Sequence, residues 1–218
     1  MKWYSYLILT SICELLSIFS INRYSDNSAD LVRIAYLEKT ALQDFSFNPF
    51  PLFVMLCSLM NIILAVIFIT SNIPKKEFII SRFNSRQQYF GYLIKKQATN
   101  ILIASAAMTI APVLFAVLLC GFSDIAELAA LYFLRLFVLL YISSGISLIL
   151  RRSLNAGASD IAGAVLMIVM IMIDVFTNIP IALIDLSEQN LVPTGCEAVV
   201  CLVATFGCFK LFGNEKEI

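Results

Sequence analysis

The sequence predicts an all-α polytopic membrane protein, with six transmembrane helices, both termini cytoplasmic and an amphipathic helix between the second and third spans. Three observations lead there. Of 218 residues, 60% are hydrophobic and 14% charged, where a soluble domain carries roughly a quarter charged residues. Six apolar windows approach the ~20 residues that a helix needs to cross the hydrocarbon of a bilayer. The windows are continuous, whereas the strands of a membrane barrel alternate apolar and polar residues over about 10 positions. A mean hydropathy of +0.89 over 24.3 kDa leaves little room for a separate soluble domain, so residues 1–218 are expected to form a single transmembrane domain.

The first window, 3–21, follows Lys2 and lacks a small-residue cleavage site, so it is expected to be retained as a span. Segment 22–50 carries Leu31, Ile34, Ala35, Leu42 and Phe45 at helical spacing behind Ser28, a candidate N-cap, and ends on Asn48-Pro49-Phe50-Pro51. A short interfacial helix is expected there. The second span covers 51–70. After Pro74 comes KKEFIISRFNSRQQYFGYLIKKQ, too charged to span and patterned as an amphipathic helix. Ile79, Phe83 and Phe90 share a stripe, Arg82 and Arg86 flank it, and Glu77, Asn84, Ser85 and Gln88 lie opposite. The plainer alternative is an interfacial anchor that sets basic residues against anionic lipid. The remaining spans cover 98–122, 128–150, 156–180 and 195–212. Pro112 permits a kink in the third. In the fifth, Ala158 to Ala162 and Ser159 to Gly163 give the small-xxx-small spacing of a close helix contact, expected to meet another helix of the same chain.

Lysine and arginine set the orientation. The connection 74–96 holds Lys75, Lys76, Arg82, Arg86, Lys95 and Lys96 against Glu77 alone, and the fourth connection holds Arg151 and Arg152. Both are cytoplasmic by the positive-inside rule. Segment 22–50 mixes signs, and the third and fifth connections hold Asp124, Glu127, Asp185 and Glu188, which reads as external.

Three ionisable side chains fall inside spans: Glu14, Arg135 and Asp174. Counted from the outer ends, each lies ~9–10 Å below the interface at 1.5 Å per residue, so the three are expected to form one intramembrane polar cluster. It would serve either to fix helix register, with two carboxylates around one guanidinium, or to line a translocation path.

Other classes lose their chemistry. The chain has no histidine, which removes the usual general base and the commonest zinc ligand. Cys13, Cys57, Cys120, Cys196, Cys201 and Cys208 form no CxxC pair and lie in or near apolar stretches, as small hydrophobes do. No metal site is expected. Fifteen basic residues balance fifteen acidic ones, so nothing points to nucleic acid. No GxxxxGK[ST] motif is present, so any ATP is expected on a partner chain.

Taken together, six spans, the passage ITSNIPKKEFI into SRFNSRQQYFGYLIKKQ, and a third span directly after it resemble the permease subunits of ABC-2-type exporters. The sequence-specific part of the likeness runs over 69–97, centred on Ser81, Arg82, Ser85, Arg86, Tyr89 and Lys95. The short chain looks most like permeases of small Gram-positive peptide exporters or of lantibiotic immunity. The resemblance implies a multi-pass protein of the bacterial cytoplasmic membrane that moves an amphipathic or hydrophobic substrate such as a peptide. It implies a separate ABC ATPase subunit carrying ATP and Mg, a second permease chain, no cofactor on this chain, and no enzymatic activity of its own. Ile79, Arg82, Phe83, Arg86, Tyr89 and Phe90 would then be the partner-coupling residues. Three other classes compete: a non-transporting immunity or scaffold protein, an intramembrane enzyme built on Glu14 with Asp174, and a channel or ion-coupled carrier.

Overall fold

A computed structural model describes residues 2–22, 27–36, 49–73, 83, 86–121, 125–150, 155–176, 199 and 203. Among them the fold is all-helical, in the expected class: α1 (Trp3–Ile21), α2 (Ser28–Ala35), α3 (Pro49–Ser71), α4 (Arg86–Cys120), α5 (Ala126–Leu150) and α6 (Ala156–Phe176). Four of these, α1, α3, α4 and α5, are long and apolar enough to cross a membrane. α6 coincides with the expected fifth span but holds a shorter apolar stretch, Gly157–Met170, among the described residues. The expected sixth span, 195–212, lies outside them apart from Val199 and Val203.

The distribution of polarity suits lipid surroundings. On α1, Ile8, Leu9, Ile12, Leu15, Leu16 and Phe19 face outward, while Thr10, Glu14 and Ser17 are buried. Water would reverse this order, because it rewards burial of the apolar side. With hydrocarbon outside, large apolar side chains gain nothing by moving inward and polar ones must find partners inside.

α1 packs against α3 and α4, α5 against α4 and α6, and α3 also touches α5 and α6. The Tyr6 hydroxyl donates to the Ala104 carbonyl at 3.3 Å, and Cys120 Sγ lies 3.6 Å from Asn22 Oδ1. Each pair is separated by 98 residues, so α1 and α4 run parallel in one register. α3 runs antiparallel to α1, with Tyr6 stacked on Phe68 at 4.5 Å between ring centroids. α5 and α6 form an antiparallel pair. Ser147 Oγ donates to the Ser159 carbonyl at 2.9 Å, and a Cβ on Gly163 would collide with Ser147 Oγ. The small-residue face of α6 therefore meets a helix of its own chain, as its spacing predicts.

Two elements differ from expectation. Asn27, not Ser28, caps α2, its Oδ1 accepting from the Ala29 N–H at 3.1 Å. Ser28 is the first helical residue, and it is buried. The apolar side of α2, with Leu31, Val32, Ile34 and Ala35, is buried against α1, α3 and α4, so protein covers the face that the sequence assigned to the interface. The second difference is α4, which starts at Arg86 and takes the second half of the amphipathic segment into the third span as one 35-residue helix. Its residues 86–100 contain no proline, and the run Lys95-Lys96-Gln97-Ala98 is of strong helix formers, so nothing local breaks the helix at the membrane boundary.

Candidate functional site

Two features carry polar or aromatic groups that packing alone does not require. The first is the core between α1, α3 and α4. At 3.6 residues per turn, Tyr6, Thr10, Glu14 and Ser17 fall on one side of α1, and all four are buried. Glu14 is 4% exposed, and its Oε1 accepts a 2.5 Å hydrogen bond from Nδ2 of Asn61, which is 0% exposed on α3. The register between α1 and α4 sets Glu14 level with Pro112, one turn from Thr109.

Tyr36, just past α2, closes this core on the side of Asn22. Its ring lies flat on Tyr132 of α5, with centroids 3.9 Å apart and planes within 6°. Its hydroxyl donates to the Thr109 carbonyl at 2.7 Å, and both phenols lie within electrostatic reach of Glu14. Along these helices the Thr10 hydroxyl lies against that of Tyr6, while Ser17 Oγ, Asn61 Oδ1, Ser105 Oγ and Thr109 Oγ1 are buried with no hydrogen-bond partner among the described residues. Each such atom costs about 1–3 kcal/mol if it is left unsatisfied.

Among the described residues Glu14 takes its hydrogen bond from a neutral amide, a partner that the sequence reading, which grouped Glu14 with Arg135 and Asp174, did not include. Arg135 is half-buried on α5 and makes interactions of its own. Asp174 falls in α6, and its side chain lies outside the described residues. Asn61 escaped sequence reasoning because it is uncharged. The available signal was an amide in the middle of LCSLMNIILAV, where an unpaired polar group in hydrocarbon is expensive.

The second feature is the start of α4. The ring of Phe83 lies 5.7 Å from that of Tyr89 and 5.4 Å from that of Tyr92, forming an aromatic knot before the span. Partial burial there pushes the Tyr89 hydroxyl above the ordinary phenol range. Arg86 and Phe90 belong to the helix, with side chains outside the described residues, and Ile79 and Arg82 lie wholly outside them. Farther along α4, Gln97 Nε2 donates to Ser144 Oγ of α5 at 2.8 Å. Asn100 Nδ2 donates at 3.3 Å to the carbonyl of Ile69 in the last turn of α3, where helix carbonyls otherwise lack partners. Two side chains of α4 thereby hold both neighbouring spans.

Compared with known proteins, the chain matches no family model, no curated protein and no solved structure. Function must therefore be argued from these two features. Among the described residues no group of three or more His, Cys, Asp and Glu comes together. The polar core joins α1 to α3 through the Glu14–Asn61 hydrogen bond, and the aromatic knot offers a contact surface at a helix end.

Proposed function

We propose that this chain is the membrane-spanning permease subunit of an ATP-driven exporter, crossing the cytoplasmic membrane six times with both termini inside. The observation that carries the reading is the continuity of α4. Its 35 residues extend ~52 Å at 1.5 Å per residue, against a hydrocarbon thickness of ~30 Å. The excess lies at the start, where Arg86, Lys95 and Lys96 mark the cytosolic side by the positive-inside rule. A rigid helix that leaves the membrane in this way is a lever. Its starting end carries Tyr89 and Tyr92 with the ring of Phe83 against them, and its later part is tied to α3 by Asn100 and to α5 by Gln97.

A partner ATPase that grips segment 74–96 would, on closing over ATP, tilt α4 and carry α3 and α5 with it. The spans supply an element with two packings, and the partner supplies the energy. The aromatic knot gives area for that contact, while Arg82 and Arg86 give it orientation by charge. The cargo is an amphipathic or hydrophobic molecule, because the spans offer Leu, Ile, Phe and Met in quantity. A second permease chain completes the pathway.

The test is isolation in mild detergent from the native membrane. A stoichiometric nucleotide-binding subunit is expected to accompany the wild-type chain, and to be lost in the Arg82→Glu/Arg86→Glu double variant and weakened in Phe83→Ala. If no such subunit accompanies the wild type, or if both variants retain it with unchanged substrate-stimulated hydrolysis, the reading fails. Variants that lose affinity for anionic vesicles alone would assign the segment to lipid.

A further inference from the structure

The carboxyl buried between α1 and α3 plays no part in the lever, and its surroundings decide its charge. Glu14 is 4% exposed. Among the described residues no Lys or Arg, Arg135 included, forms an ion pair with it, and Asp30 and Arg33 of α2 pair with each other at 3.7 Å. The titratable groups that face it are Tyr6 and Cys13 on α1, Cys57 on α3, Tyr36 beyond α2 and Tyr132 on α5, phenols and thiols that supply no positive charge. From α4 the residues at its level are Thr109 and Pro112, which carry no charge either. A carboxylate without a counter-charge is expensive in hydrocarbon, and a carboxyl so placed sheds its charge by holding a proton.

The second observation is a length. The contact between Glu14 Oε1 and the Asn61 amide measures 2.5 Å. That is below the range of about 2.7–3.2 Å for N–H···O bonds and within the range of about 2.5–3.0 Å for O–H···O bonds. The two ends of an Asn amide have the same shape and exchange places by a half-turn. With its nitrogen forward, Asn61 donates to a carboxylate. With its oxygen forward, it accepts from the O–H of a neutral acid across the same 2.5 Å. One amide therefore serves either form of Glu14, and the short contact fits the acid.

We propose that Glu14 is a proton-binding site inside the membrane, its neutral carboxyl donating to the Asn61 amide oxygen and latching α1 to α3. Release of the proton to water leaves a carboxylate with no counter-charge in this packing. The ionised form therefore favours arrangements in which α1 parts from α3 and Glu14 meets water. The sign of the effect follows. Folding takes up a proton that a carboxyl in water has lost, so stability falls as pH rises out of the ordinary carboxyl range and levels off once the buried group has ionised as well. The inference does not depend on an ATPase partner.

The experiment is infrared spectroscopy of the purified full-length chain in lipid nanodiscs at neutral pH, compared with Glu14→Gln, which keeps the shape and carries no charge. A protonated-carboxyl stretch is expected in the wild type and not in Glu14→Gln. Asn61→Leu should move that stretch to the higher frequency of a carboxyl without this hydrogen bond. In unfolding by SDS, Glu14→Gln should be at least as stable as wild type at neutral pH. The unfolding constant of the wild type relative to Glu14→Gln should rise by up to about tenfold per pH unit until the stretch disappears. Both chains share the phenols and thiols, whose titration cancels in that ratio. The proposal is overturned if the wild type lacks the stretch, if Asn61→Leu leaves it in place, or if the ratio does not change with pH. It is equally overturned if Glu14→Gln fails to fold at neutral pH, since that outcome shows that the site needs a charged carboxylate.

Discussion

Substituting alanine for Gly163 tests how closely α5 and α6 approach. A Cβ at this position collides with Ser147 Oγ, falls 2.8 Å from the Ser143 carbonyl oxygen and 3.2 Å from Ser147 Cβ. The serine oxygen can rotate away, though it would then give up its 2.9 Å bond to the Ser159 carbonyl. The Ser143 carbonyl belongs to the backbone of α5 and cannot. Restoring an ordinary contact of 3.4 Å or more requires the helices to part by roughly 0.6 Å. Such overpacking costs about 1–3 kcal/mol. Losing an interhelical hydrogen bond in a membrane adds ~0.6 kcal/mol, and alanine's better helix propensity returns about 1 kcal/mol. The expected net effect is a destabilisation of about 0.6–2.6 kcal/mol, read from unfolding by SDS in mixed micelles and followed by circular dichroism. Adding Ser147→Ala should recover part of the loss, because it removes the oxygen and leaves the backbone contact. Gly91→Ala is the internal control: nothing lies within 4 Å of its added Cβ, so this variant should be as stable as wild type or more so. If Gly163→Ala behaves like Gly91→Ala, the close packing of α6 on α5 is wrong.

The other expectations concern single positions. Gly121 ends α4 at φ 86°, with its N–H bonded to the Val117 carbonyl at 2.9 Å. Gly121→Ala should therefore cost about 1 kcal/mol in the same assay, and a neutral result would remove the left-handed helix end. Tyr36→Phe deletes the bond to the Thr109 carbonyl and keeps the stack on Tyr132. A loss of about 1 kcal/mol is expected, together with faster protease cleavage in the segment after α2. Unchanged cleavage would show that this hydroxyl does not hold α2 in place.

Much of the fold was legible in the sequence because hydropathy is local: a run such as LILTSICELLSIFSI is too apolar for a connection whatever it later packs against. α1 begins and ends where its window does, and the Ser159–Gly163 face packs as its spacing predicts, since small residues at four-residue intervals leave a groove on any helix. The polar pairing of Glu14 was not legible. Depth along a helix follows from counting, but which helix turns a partner toward the carboxylate depends on rotation and register between helices, and these are set by packing. Equal depth singled out charged residues, whereas the hydrogen bond that packing gives Glu14 among the described residues comes from Asn61, an uncharged residue from the middle of an apolar run. The same limit applies to α2. Its amphipathic spacing declared an apolar face, and only the tertiary structure decided that α1, α3 and α4 would cover it and that Tyr36 would close the polar core. An apolar stripe specifies burial without specifying the surface that buries it.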